Sequence, residues 1–169
     1  MRIKVTETKV YTWDELTDEQ KERALNKLWD INVEFEWWDG IYYDAAGVGI
    51  KITSFDLDRN RHAEGEFTQS AKDVAKAILD NHGEKCETYQ TSLDFLTGYP
   101  EEPDENDDDD KYYQWQDDVE EHEEEFRKSI LEDYSIILQH EYEYLTSEEG
   151  IIETIRCNEY EFDENGNIA

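Results

Sequence analysis

The chain predicts an α+β fold: a small antiparallel sheet packed against helices, with one long acidic C-terminal helix. Two observations carry that reading. Apolar residues alternate with period two near the N-terminus and around residues 50 to 68, and they recur at three, four or seven from Tyr112 to Leu145. Turn and capping residues separate these stretches.

In chain order, Ile3, Val5, Val10 and Tyr11 predict an opening strand over residues 2 to 11. Thr17 with Gln20 forms a capping-box pattern, Asp18 and Glu19 suit a first turn, and Ala24, Leu25, Leu28 and Trp29 follow at helical spacing. A second helix over residues 34 to 47 groups Trp37, Trp38, Ile41 and Tyr42, and Gly47 and Gly49 stop it. Residues 50 to 57 and 62 to 68 flank Asp58-Arg59-Asn60-Arg61 and predict a hairpin, which joins the first strand in one sheet. Ser70 with Asp73 opens a helix striped by Val74, Ala77 and Ile78, and Gly83 occupies the place of a left-handed cap. Tyr89 to Leu96 continues as helix.

Residues 98 to 110 hold both prolines and eight acids, which predicts an exposed, mobile loop. The long helix then runs from Tyr112 to Leu145 on Trp115, Val119, Phe126, Ile130, Tyr134 and Ile137. Ser147 restarts a shorter helix through Ile155, and Asn165-Gly166 centres a terminal hairpin from Tyr160 to Ile168. The expected organisation is an α+β core over residues 1 to 97, the acidic loop over 98 to 111, and a helical and hairpin segment over 112 to 169, all in one compact domain. Trp13, Trp29, Trp37 and Trp38 are expected to pack with Phe55 and Phe67 between sheet and helices.

Charge bounds the function. Forty-six acids against sixteen bases leave a formal charge of −30. Residues 1 to 90 hold 19 acids and 12 bases, whereas residues 91 to 169 hold 27 and 4. A polyphosphate is bound by lysine and arginine, so nucleic acid as a direct ligand and an anionic membrane are both excluded as expectations. A basic protein is the partner such a surface attracts. Disorder is not expected, because 37% of the residues are hydrophobic and five tryptophans, eleven tyrosines and six phenylalanines supply large rings to bury. No apolar run reaches the ~18 residues that span a bilayer and no signal-peptide core is present, so the chain reads as soluble and intracellular. Cys86 and Cys157 have no CxxC or zinc-type spacing and are expected as buried free thiols.

Catalytic signatures are missing. His122-Glu123 and His140-Glu141 lack the second histidine of a HExxH helix, with Phe126 and Tyr144 at the required positions. There is no GxGxxG, GxxxxGK[ST] or GxSxG, so no enzyme and no cofactor is expected. Asp56, Asp58 and Asn60 open like a calcium loop, but Arg61 and Phe67 stand at the glycine and glutamate positions. Asp104, Asn106 and Asp108 fail likewise at Asp109 and Trp115, so no metal site is expected.

The positive signal lies between Glu101 and Glu125: fifteen carboxylates and one lysine. Asp117, Asp118, Glu120, Glu121, Glu123, Glu124 and Glu125 place seven of them in nine residues. On a helix this gives one charge per about 2 Å, close to the one per about 1.7 Å of duplex DNA. Such a helix can compete for a phosphate-binding groove. The candidate partner-binding residues are Asp117, Asp118, Glu120, Glu121, Glu124 and Glu125, extended by the loop acids Asp107, Asp108, Asp109 and Asp110.

The run Tyr11-Thr12-Trp13-Asp14-Glu15-Leu16-Thr17, with Glu19, Lys21 and Ala24, resembles the opening of small bacteriophage and prophage proteins, some of them antitoxin-like. In overall character the chain also resembles phage DNA-mimic proteins, the anti-restriction and anti-CRISPR inhibitors. The resemblance implies a phage protein acting in the cytoplasm of a bacterial host, as an inhibitor of a nucleic-acid-binding restriction or CRISPR enzyme. An antitoxin-like or regulatory module that neutralises one basic protein is the alternative. The oligomeric state is left open by the residues.

Overall fold

The computed structural model describes residues 1–169. Its elements are β1 (Tyr11–Thr12), a 3-10 turn (Trp13–Glu15), α1 (Asp18–Lys27), α2 (Asp39–Gly47), β2 (Ile50–Asp56), β3 (His62–Phe67), α3 (Ala71–Asn81), α4 (Glu87–Thr97), α5 (Asp109–Leu145), α6 (Glu148–Cys157) and β4 (Glu161–Phe162). The class is α+β, as the periodicities predict. No helix is long and apolar enough to cross a membrane.

The chain divides into two units, Trp38–Gln139 and the joined segments Met1–Trp37 and His140–Ala169. In the unit Trp38–Gln139, β2 and β3 form an antiparallel hairpin in which Ile50 faces Phe67 and Asp56 faces His62. The register slips between Ile52 and Ser54, where Thr53 Oγ1 donates to the Glu64 carbonyl. Alternation puts Ile50 and Ile52 inward, onto Val74, Ala75 and Ile78 of α3 and Phe126, Ile130, Leu131 and Tyr134 of α5. Ser70 Oγ accepts from Asp73 N and starts α3 where the sequence places it. Gly49, at φ +89°, lets the chain turn from α2 into β2.

The other unit has its own core of Trp13, Leu16, Ala24, Ile151, Ile155 and Phe162. Thr17 caps α1 with the expected box and Ser147 Oγ accepts from Gly150 N to start α6. Buried Asn32 is satisfied by the carbonyls of Leu145 and Gly150 and by Thr154 Oγ1. β1 pairs antiparallel with β4, Tyr11 opposite Phe162, and Phe162 also bridges to Ile168 in the terminal hairpin.

Several expectations are corrected. Of the predicted strand 2 to 11, only Tyr11 and its neighbour Thr12 pair, because no strand lies beside residues 1–10. β1 does not join the β2–β3 hairpin; there are two separate two-stranded sheets. The helix expected from residue 34 starts at Asp39, after a run of turns. Gly83 has no positive φ, since His82 ends α3 in extended geometry. The tryptophans do not share one core: Trp13 packs on Phe162, Trp37 on Tyr142 and Trp38 on Phe55, while Trp29 is 53% exposed. Phe67 packs on Phe126. Both cysteines are free but exposed, because each sits at a helix terminus rather than on its apolar stripe.

Gly166 identifies a test of the terminal hairpin. Its φ is +80°, and an added Cβ would lie 2.9 Å from Ala24 N and 3.1 Å from the Gln20 carbonyl, both backbone atoms of α1. The loop is further held by Gln20 Nε2 on the Glu164 carbonyl and by Lys27 Nζ on Asn165 O and Asn167 Oδ1. Gly166→Ala is expected to destabilise the protein by about 1–3 kcal/mol in denaturant titration, through the strained φ and the backbone clash.

Candidate functional site: the acidic face of the long helix

α5 begins three residues earlier than its apolar stripe predicts, because Asp108 caps it. Asp108 Oδ1 accepts from Lys111 N at 2.9 Å, an N-cap bond to the third helical residue. Asp107 reinforces the start: Oδ1 pairs with Lys111 Nζ at 3.2 Å and Oδ2 accepts from Asp104 N at 3.0 Å. The Lys111 bond, with the Asp104 amide, holds the Asp107 carboxyl below the usual range. Asp109 and Asp110 therefore belong to the first turn of α5 instead of the loop, where their charges suit the positive end of the helix dipole.

From there the acids sort by face. At about 100° per residue, Asp109, Asp110, Asp117, Asp118, Glu120, Glu121, Glu124 and Glu125 fall within about half of the helix circumference. All eight are exposed. Along the axis they cover about 24 Å at about 1.5 Å per residue. Trp115, Val119, His122 and Phe126 take the opposite half, and each is at least half-withdrawn from solvent.

That opposite half is anchored to the end of α4 and the segment after it. Phe95 stacks on Phe126 with ring centroids 4.2 Å apart and on His122 at 4.9 Å. The Phe95 carbonyl lies 2.8 Å from His122 Nε2, and Trp115 Nε1 donates to the Pro100 carbonyl at 3.3 Å. Tyr99 OH donates to Glu123 Oε1 at 3.1 Å, so Glu123, alone among the seven clustered acids, is turned inward from the face. Burial first, and then Glu123, push the Tyr99 phenol up, so it stays a donor.

Of the sequence-predicted residues, the structure brings eight onto one face, and Asp107 and Asp108, also exposed, bond locally at the start of the helix. Among the eight, Asp118 Oδ1 accepts from Gln114 at 3.0 Å. Glu124 pairs with Arg127, whose bond holds the glutamate below its usual range. Arg127 and Lys128 end the acidic track. Asp117, Glu120, Glu121 and Glu125 are exposed. Tyr113, 63% exposed, sits among them and was not singled out by the sequence, where it reads only as part of an aromatic run.

A separate cluster of titratable groups surrounds Asp44. Tyr134 OH donates to Asp44 Oδ2 at 3.1 Å, His82 Nε2 lies 3.3 Å from the same oxygen, and His82 Nδ1 is 2.6 Å from Thr88 Oγ1. Burial pushes the Tyr134 phenol far up. A hydroxyl, an imidazole and a carboxylate lie in line there, with Thr88 only 1% exposed and His82 Nε2 buried without a hydrogen bond. The cluster ties α2, α3 and α4 to α5. No group of three or more His, Cys, Asp or Glu side chains is arranged to hold a metal ion. The Asp56 opening of the calcium-like stretch is an Asx turn, with Oδ1 accepting from Asp58 N.

Comparison with protein-family models, with characterised proteins and with solved structures finds no match.

The cap can be tested directly. Asp108→Ala removes the side-chain acceptor of the Lys111 amide and is expected to cost about 1 kcal/mol, with faster amide exchange confined to the first turns. Unchanged exchange there would place the start of the helix elsewhere.

Proposed function

We propose that the protein is a phage-encoded inhibitor that uses the exposed face of α5 to occupy the nucleic-acid groove of a basic host defence protein, such as a restriction or CRISPR enzyme. The observation that carries this reading is the sorting of eight carboxylates onto one face of a helix, opposite the side that packs. The phage assignment rests on the resemblance of residues 11 to 24, and inhibition by competition rests on the charge density.

One helix presents one track, so the path imitates a single phosphate strand rather than the paired strands of a duplex. A merely solvated helix gains nothing from this arrangement. Like charges at i,i+4, such as Asp117 with Glu121 and Glu121 with Glu125, each cost a few tenths of a kcal/mol, and interspersed lysines would remove that cost. Between Lys111 and Arg127 there are none. A groove lined by arginine and lysine offsets the repulsion on binding, and complementary fields speed association in a salt-dependent way. The antitoxin-like alternative shares the surface but requires only a patch of charge.

The test replaces charge at constant shape. Asp117→Asn with Glu120→Gln, Glu121→Gln and Glu125→Gln removes four charges that no intramolecular bond uses, and Glu19, Glu22, Glu34 and Glu36 changed to glutamine form the control, all four being exposed. The first set is expected to weaken partner binding by about tenfold or more, about 1.4 kcal/mol, and to leave the fold intact or slightly more stable. The control set is expected to change it little. Equal weakening by both sets would make net charge, and not the α5 face, the active property.

A further inference from the structure

Residues 1–10 have the composition of a strand and no strand beside them. None belongs to a helix or sheet and all ten are exposed, Ile3 at 82% and Val5 at 80%. Five of the ten are β-branched: Ile3, Val5, Thr6, Thr8 and Val10. The segment is also basic, with Arg2, Lys4 and Lys9 against Glu7, whereas the rest of the chain holds forty-five acids and thirteen bases. An apolar, basic, strand-forming arm on so acidic a protein is out of place in solvent.

The β2–β3 hairpin has an outer edge with complementary features. β3 has β2 as its one strand neighbour, so its other edge is not paired in a sheet. Residues His62 to Glu66, with Thr53 of β2, form one wall of a groove of about 590 Å³, and Arg127, Lys128, Leu131 and Glu132 of α5 form the other. A strand edge beside a helix is the geometry in which an extended peptide adds to a sheet. Along β3, Glu64 and Glu66 are exposed, whereas Ala63 and Gly65 are half-buried, with the Gly65 Cβ position 3.2 Å from Leu131 Cδ2. The arm alternates with the same period, Arg2 and Lys4 on one face and Ile3 and Val5 on the other. Paired strands bring like faces together. Arg2 and Lys4 then meet Glu64 and Glu66, and Ile3 and Val5 cover Ala63, Gly65 and Leu131.

We propose that the basic arm of one copy adds as a strand to the outer edge of β3 in a second copy, reciprocally, giving a two-fold dimer. Charge complementarity selects this occupant. Glu64, which also accepts from Ser54 Oγ at 3.2 Å, and Glu66 disfavour an acidic strand and attract a basic one on the solvent face, away from Arg127 and Lys128. Arg127 Nη1 already holds the Gly65 carbonyl at 3.0 Å, so the arm's backbone bonds fall on either side of that residue. The acidic half of α5 takes no part, and the dimer does not depend on the function proposed above.

The experiment is light scattering of the full chain across a concentration series to about 100 µM, near physiological salt. A dimer is expected. Arg2→Glu with Lys4→Glu should raise its dissociation constant about tenfold or more, as should Val5→Pro, which blocks strand pairing, and Glu64→Lys with Glu66→Lys. Combining the two charge reversals should restore dimerisation. Circular dichroism of each variant checks that the fold is retained. A monomer at every concentration overturns the proposal, including the case in which the arm folds onto its own hairpin. So does a dimer indifferent to the arm variants, or a charge-swapped combination that fails to recover.

Discussion

The architecture depends on the buried stripe of α5. Phe126, Ile130, Leu131, Tyr134 and Leu138 are each at most 5% exposed, and four of them close the core that the β2–β3 hairpin and α3 begin. Fully burying one side chain of this size is worth about 1.5–3 kcal/mol. The like-charge pairs on the first half of the same helix, at a few tenths each, come to roughly 1 kcal/mol. Packing therefore wins, and the helix extends through a sequence that repulsion alone would fray. Because the stripe fixes which side faces inward, it also fixes which side carries the acids outward. The aromatic clamp of Phe95, Tyr99 and His122 carries that orientation up to Trp115.

Local signals were legible because their causes are local. The capping residues Thr17, Ser70 and Ser147 and the α5 periodicity each act within a few residues, and each element appears where these predict except that α5 starts at Asp109, three residues early. The acidic run from Asp117 to Glu125 was legible as a linear density of charge, and the helix then sorts it by side. What the chain did not disclose is non-local. Tyr11 pairs with Phe162 across the length of the sequence, and nothing in either segment names the other. The tryptophans looked like one core because they are close in sequence, yet Trp13 and Trp38 belong to different units. Asp107 and Asp108 looked like more of the acidic run, although an aspartate three residues before Lys111 is a capping signal that charge counting obscured.

The arm shows the opposite failure. Its alternation predicts a strand over residues 2 to 11, but a strand needs a neighbour and residues 1–10 have none. Pattern reports what a segment is suited to, and pairing depends on whether an edge of matching charge is within reach. The same physics governs the two charged features of this protein. The exposed α5 face carries eight acids and the arm three bases against Glu7, so each concentrates one sign of charge.

Competition is the most direct measurement of the central claim, that the α5 face takes the place of a nucleic-acid strand. The immobilised protein would capture its partner from a bacterial lysate, and the complex would be challenged with single-stranded oligonucleotide at constant ionic strength. The account predicts that the captured protein binds nucleic acid and that the oligonucleotide releases it in a concentration-dependent way. Retention of the partner against saturating oligonucleotide, or capture only of proteins that bind no nucleic acid, would contradict it.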